Sequence, residues 1–231
     1  MGILEREMKR LAQQAGGAHK TVSDRMAQGM DKRTLQNEMA MIRVVLRQAG
    51  RVKLADSDRI SNRAVGISGA SRNGTRRAIT DGKYQAVQES ARLKGPGLAA
   101  ALEMARLMGL RSQEAVQSAQ SLKTWRQALE RGESRLTVVF GTKGGRPRET
   151  IILDAGAVRK ALDNAIDIAE QRNGRLIDRA TLKEAMQFWR KQVERLGLTG
   201  QNSPHSLRYA WAQMLFAIIW RRDSVNRRRW R

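Results

Sequence analysis

The residues in this chain whose types and spacing could do chemistry are few and cationic. They are Arg111 in GLRSQE, Lys143 in GTKGGRPR, and His205 with Arg208 in PHSLR. His205 and Arg208 are three apart on a predicted helix, so they share one face near its N-terminus, where the macrodipole favours an anion. Arginine offers a permanently charged fork of donors, and lysine offers a mobile ammonium that can also give up a proton. Together they suit the holding of a phosphate. Taken singly, each also fits a solvated arginine, a glycine-turn lysine or a structural histidine. The glycines of GTKGG lack the GxxxxGK[ST] spacing of a nucleotide phosphate loop, which argues against ATP or GTP binding.

The elements that must position these residues are mostly helices. A short basic helix is predicted over Leu4 to Gln14, closed by Gly16 and Gly17. A stronger one starts after an Asp31 cap, with Leu35, Met39, Ile42, Val45 and Leu46 on one face and Gly50 as terminator. Its other face carries Lys32, Arg33, Arg43 and Arg47, which suit either a phosphate backbone or water.

Residues 57–80 are poor in large apolar side chains and read equally as a polyphosphate contact or a solvated connection. Thr80 is placed to cap DGKYQAVQESARL, and Gly95, Pro96 and Gly97 break the chain sharply. The second half opens with LAAALEMARLMGL, interrupted by Gly109 ahead of Arg111. RLTVVF and ETIIL then read as a β-hairpin joined by the Gly-rich turn that carries Lys143. Three helices follow. Asp154 caps one, Thr181 and Glu184 form a capping box for the next, and Ser203 with Pro204 starts the last. The expected fold is therefore mainly α with a small β-hairpin, divided at residues 1–95 and 96–231.

Composition narrows the partners. Against 22 acidic residues stand 44 Lys and Arg, a formal net charge of +22 in 231 residues, which favours a polyanion. A basic surface serving solubility, or an RNA contact of ribosomal type, is the alternative. There is no cysteine, so disulfides, thiol catalysis and cysteine-bound zinc are excluded. Two histidines make a histidine metal site an unattractive expectation, and no cofactor is expected. No signal sequence is evident, and MLFAIIW is far shorter than the roughly 20 residues of a membrane span. A cytoplasmic protein without a membrane partner is expected.

The ordered succession of GLRSQE, a hairpin with TKGGRPR, and HSLR resembles the tyrosine recombinase (phage integrase) family, in its prophage integrase branch. GASRNGTRRAIT also resembles the end of that branch's N-terminal DNA-binding region. The resemblance implies a helical DNA-binding domain followed by a catalytic domain. Arg111 would be the first catalytic arginine, Glu114 its acidic companion, Lys143 the hairpin lysine, and His205 and Arg208 the HxxR pair.

In the family's reaction the arginines hold non-bridging phosphate oxygens, the lysine protonates the leaving 5′ oxygen, and a tyrosine forms a 3′-phosphotyrosyl link without a metal. Double-stranded DNA would be the partner, with Arg72, Arg76, Arg77, Arg146 and Arg148 as further contacts. The chain departs from the pattern after Arg208, where the family's further His or Trp and its nucleophilic tyrosine find no counterpart. Tyr209 is too early and points around the helix. The expectation is a truncated catalytic domain that binds DNA, does not cleave it alone, and can self-associate or join another recombinase subunit. The alternatives are an active recombinase using Tyr209 or a tyrosine supplied in trans, and a non-enzymatic nucleic-acid-binding regulator.

Overall fold

The structure is a computed structural model that describes residues 22–70 and 77–228, with residues 222–228 described by backbone alone. The helix expected over Leu4 to Gln14, its terminating Gly16 and Gly17, and both Arg72 and Arg76 lie outside the described residues. The chain forms two compact units, Met1–Asn73 and Gly74–Arg231.

In the first unit, α1 (Lys32–Gln48) begins at Asp31, whose carboxylate accepts the Arg33 N–H at 3.1 Å. Its buried Leu35, Met39 and Leu46 follow the helical period. They pack with Ala55 of α2 (Val52–Ala55) and with Val22, Ile60, Val65 and Ile67. The polar stretch after Ser57 thus supplies three apolar anchors to a core, which its low apolar content concealed. Two of the basic residues on α1 are engaged inside the unit. Arg43 donates to the Ile60 carbonyl and the Asn62 side chain, and Arg47 pairs with Asp56 at 2.5 Å.

The second unit is built around α4 (Pro96–Met108), an Ala- and Leu-rich helix buried along nearly its whole length. Before it, α3 (Asp81–Lys94) is capped by Thr80 and ends at Gly95, which also starts α4 with Pro96 in the first helical position. The expected division after residue 95 is therefore a tight corner within one core. Val87 and Ala91 of α3 are buried in the same cluster as α4, and the compact unit begins at Gly74.

Further on come α5 (Ser112–Gln117), α6 (Leu122–Glu130), and an antiparallel hairpin of β1 (Arg135–Val138) and β2 (Arg148–Ile151). Then follow α7 (Ala155–Glu170), α8 (Leu182–Arg195) and α9 (His205–Arg228). The caps at Asp154 and at Thr181 with Glu184 form as their spacing predicts. Ser203 does not behave as expected. Helix α9 starts at His205, and the buried Ser203 hydroxyl has no hydrogen-bond partner among the described residues.

Helix α7 packs across α4 and α6, so α4 is sheathed by helices while its C-terminal end faces the hairpin and α9. No described helix is long and apolar enough to cross a membrane.

Candidate functional site

The C-terminal end of α4 is where the site is assembled, because its last carbonyls have no partner within the helix. Gly109 closes the helix in the left-handed conformation (φ 58°), and a Cβ there would lie 2.5 Å from the Trp211 ring. Side chains from later elements take the freed carbonyls. The Thr150 hydroxyl donates to Met108 O at 2.6 Å, Arg148 Nη2 to Gly109 O at 3.1 Å, and Arg208 Nη1 to the same oxygen at 2.5 Å. Strand β2 and helix α9 are thereby fastened to one point.

Two residues beyond Gly109, Arg111 caps α5. Glu114 at the third helical position reaches back to accept the Arg111 backbone N–H at 2.8 Å, the carboxylate half of a capping box. The same carboxylate accepts Arg111 Nη1 at 2.6 Å, Arg148 Nε at 3.0 Å and Arg148 Nη2 at 2.5 Å. The Glu114 side chain is 0% exposed. Burial pushes its carboxyl up, but the hydrogen bonds from Arg148 and from the backbone and side chain of Arg111 together outweigh it and hold the group below the usual carboxylate range. Arg208 is pushed below its ordinary value by burial first, then by the charges of Arg148 and Arg111. Three guanidiniums thus gather about one carboxylate, leaving positive charge that an anion would balance.

Beside this cluster lies a cleft of about 880 Å³ lined by Arg111, Lys143, His205, Trp189 and Arg190, among others. Lys143 reaches it through the hairpin loop, which passes close over the start of α5 at Gly141. With φ 74°, Gly141 lies so near that a Cβ would be 2.6 Å from the Gln113 carbonyl. The hairpin itself is held by the Trp125 indole, which donates to Thr137 O at 2.8 Å. His205, in the first turn of α9, packs edge-on against Tyr209 with ring centroids 6.2 Å apart. Tyr209 itself lines a separate cavity with Arg77 and Phe216.

Of the sequence-predicted residues, Arg111, Lys143 and His205 line one cleft, and Arg111, Glu114 and Arg208 meet at the α4 end. Arg77 and Arg146 are exposed, and Arg77 lies on the Tyr209 cavity. Arg148 was expected at a DNA surface, yet its side chain is 17% exposed and bound to Glu114. The sequence held a signal for this. Arg148 and the buried Thr150 are two apart on a strand, so they share its inward face, opposite Val138 and Leu136. Sequence reasoning also missed Gly109 as the shared acceptor, Gly141 as the close approach, and Trp189 and Arg190 as cleft walls.

Fold and site together define a helical protein with a hairpin-edged, cation-lined cleft. The sequence model described as "Integrase" matches residues 66–214, and the one described as "Phage integrase, N-terminal" matches residues 1–29 and 22–55. The chain belongs to the integrase family. DNA is accordingly its partner class, and its function is integrase-related in the broad sense. Neither the curated proteins nor the solved structures contain a match to it.

Proposed function

We propose that this chain is a DNA-binding integrase-type protein of the tyrosine recombinase kind. In this reading its second unit grips one DNA phosphate with Arg111 and Arg208, with Lys143 and His205 on the adjoining cleft, and it does not cleave DNA by itself. The observation that carries the reading is the joint attachment of Arg111, Arg148 and Arg208 to Glu114 and Gly109 O beside that cleft. Like charges are held close only where other forces oblige them, and a bound phosphate would relieve their repulsion. Arg111 and Arg208 would take non-bridging oxygens, Lys143 would donate to a departing oxygen, and His205 would orient the group or pass a proton.

The absence of independent cleavage is supported by the two tyrosines. Tyr84 does not line the cleft; it lies under Arg106, and burial, reinforced by Glu103, raises its hydroxyl well above the ordinary phenol value. Tyr209 faces the other cavity. Neither side chain lines the cleft beside Arg111.

Binding of the full chain to labelled duplex DNA across a salt series tests the reading. Arg111→Gln and Arg208→Gln should each weaken binding about tenfold and flatten the salt dependence by about one charge. A suicide duplex should yield no covalent adduct on denaturing gels. Unchanged affinity in both variants would shift the assignment to a binder that uses other basic surfaces, and an adduct would restore the active recombinase.

A further inference from the structure

We infer that Arg148 is a positioning residue that sets the spacing between Arg111 and Arg208, and that it does not itself contact DNA. The inference rests on the reading that those two arginines take one phosphate, and it assigns the third guanidinium of the cluster a different task. Arg148 makes four hydrogen bonds. Nε donates to Glu114 Oε1, Nη2 to Glu114 Oε2 and to Gly109 O, and Nη1 to its neighbour's carbonyl at Glu149. A guanidinium has five N–H donors, so one is left for any ligand.

Its two neighbours differ. Among the described residues the Arg111 guanidinium bonds through Nη1 alone, to Glu114, and its side chain is 35% exposed. Arg208 bonds through Nη1 to Gly109 O. Both keep donors to offer.

The connectivity explains what Arg148 contributes. Glu114 holds Arg111, and Gly109 O holds Arg208; Arg148 bonds to both of these anchors at once. A planar, rigid fork can span a carboxylate and a carbonyl on different elements, whereas a lysine ammonium, as a point charge, cannot fix both. Arg148 also sits on β2 opposite the buried Val138, so its place is set by strand register rather than by a loop.

Arg148→Lys is the variant to make, because it leaves a cation against the buried Glu114 and lets the chain fold. Arg148→Met would strand that carboxylate. The first readout is the set of side-chain Nε–H NMR signals of Arg111 and Arg208 in the free chain. In Arg148→Lys both should move and broaden towards the position of exposed arginines, while Arg190→Lys, on the cleft wall, leaves them in place.

The second readout is affinity for a labelled duplex in a double-mutant cycle. Arg148→Lys should cost about tenfold in the wild-type background and less than about twofold when Arg111→Gln and Arg208→Gln are already present. Unmoved Nε–H signals overturn the inference. An equal loss in both backgrounds also overturns it, since Arg148 would then touch DNA or act on the whole fold. If Arg111→Gln and Arg208→Gln leave affinity unchanged, the phosphate reading fails by itself, and the NMR comparison alone decides the positioning role.

Discussion

Glu114 is a buried carboxylate held by two guanidiniums and one backbone N–H, so its ionised form and the local fold depend on each other. Replacing it by Gln keeps the shape and removes the charge, leaving Arg111 and Arg148 beside each other in a site of low polarity. Breaking a buried pair on one side typically costs about 3–5 kcal/mol, and the retained amide oxygen places Glu114→Gln near about 3 kcal/mol by denaturant unfolding. The pH dependence has a defined sign. The folded carboxyl lies below its ordinary value of 4.5, so its contribution is complete above that pH and is lost as pH falls through the lower, folded value. The stability gap between wild type and Glu114→Gln should accordingly close on acidification below about pH 4.5. A gap that stayed constant down to the acid transition would show that the charge of Glu114 does not hold the cluster.

At the scale of elements, the hairpin loop tests whether close packing or mere tethering brings Lys143 to the cleft. Gly141 and Gly144 have nearly the same backbone conformation, φ 74° and 71°, but a Cβ at Gly144 meets open space while one at Gly141 meets the Gln113 backbone. Gly144→Ala should therefore cost only the left-handed strain of about 1–2 kcal/mol. Gly141→Ala should cost more and also lower duplex affinity to the level of Lys143→Ala. Equal behaviour of the two alanine variants in both assays would mean that the loop adapts freely. Helix ends were the most legible features in the sequence, because capping is local chemistry: Asp31, Thr80, Gly109, Asp154 and the Thr181 to Glu184 box all act where their spacing places them. What was not legible depends on tertiary partners. Gly95 and Pro96 read as a boundary because a break between helices looks the same whether it joins domains or turns a corner inside one core. Arg148 read as a surface cation because its charge is visible in the sequence, whereas the carboxylate and carbonyl that bind it come from α5 and the end of α4, 34 and 39 residues earlier.

For the whole molecule, two opposed features set how it behaves in solution. A formal charge of +22 repels other copies and attracts DNA, and both effects weaken with salt. Helix α9 carries the contrary signal, since Phe216 and Trp220 are 66% and 61% exposed, stack on each other, and are accompanied by exposed Ile218 and Ile219. Exposed apolar side chains of this kind favour association once like-charge repulsion is screened. The expected outcome is a pair of opposite salt dependences in one protein. Duplex affinity should fall by about 10³–10⁵ between roughly 50 and 200 mM salt if 6–10 phosphates are contacted. Sedimentation of the free chain over the same range should show growing association. Phe216→Asp with Trp220→Asp should abolish the rise in association and leave the slope of DNA binding unchanged, because neither side chain lines the cleft. Association that instead fell with added salt would indicate contacts between charges rather than through α9, and a double variant with a flattened binding slope would bring this helix into the DNA interface.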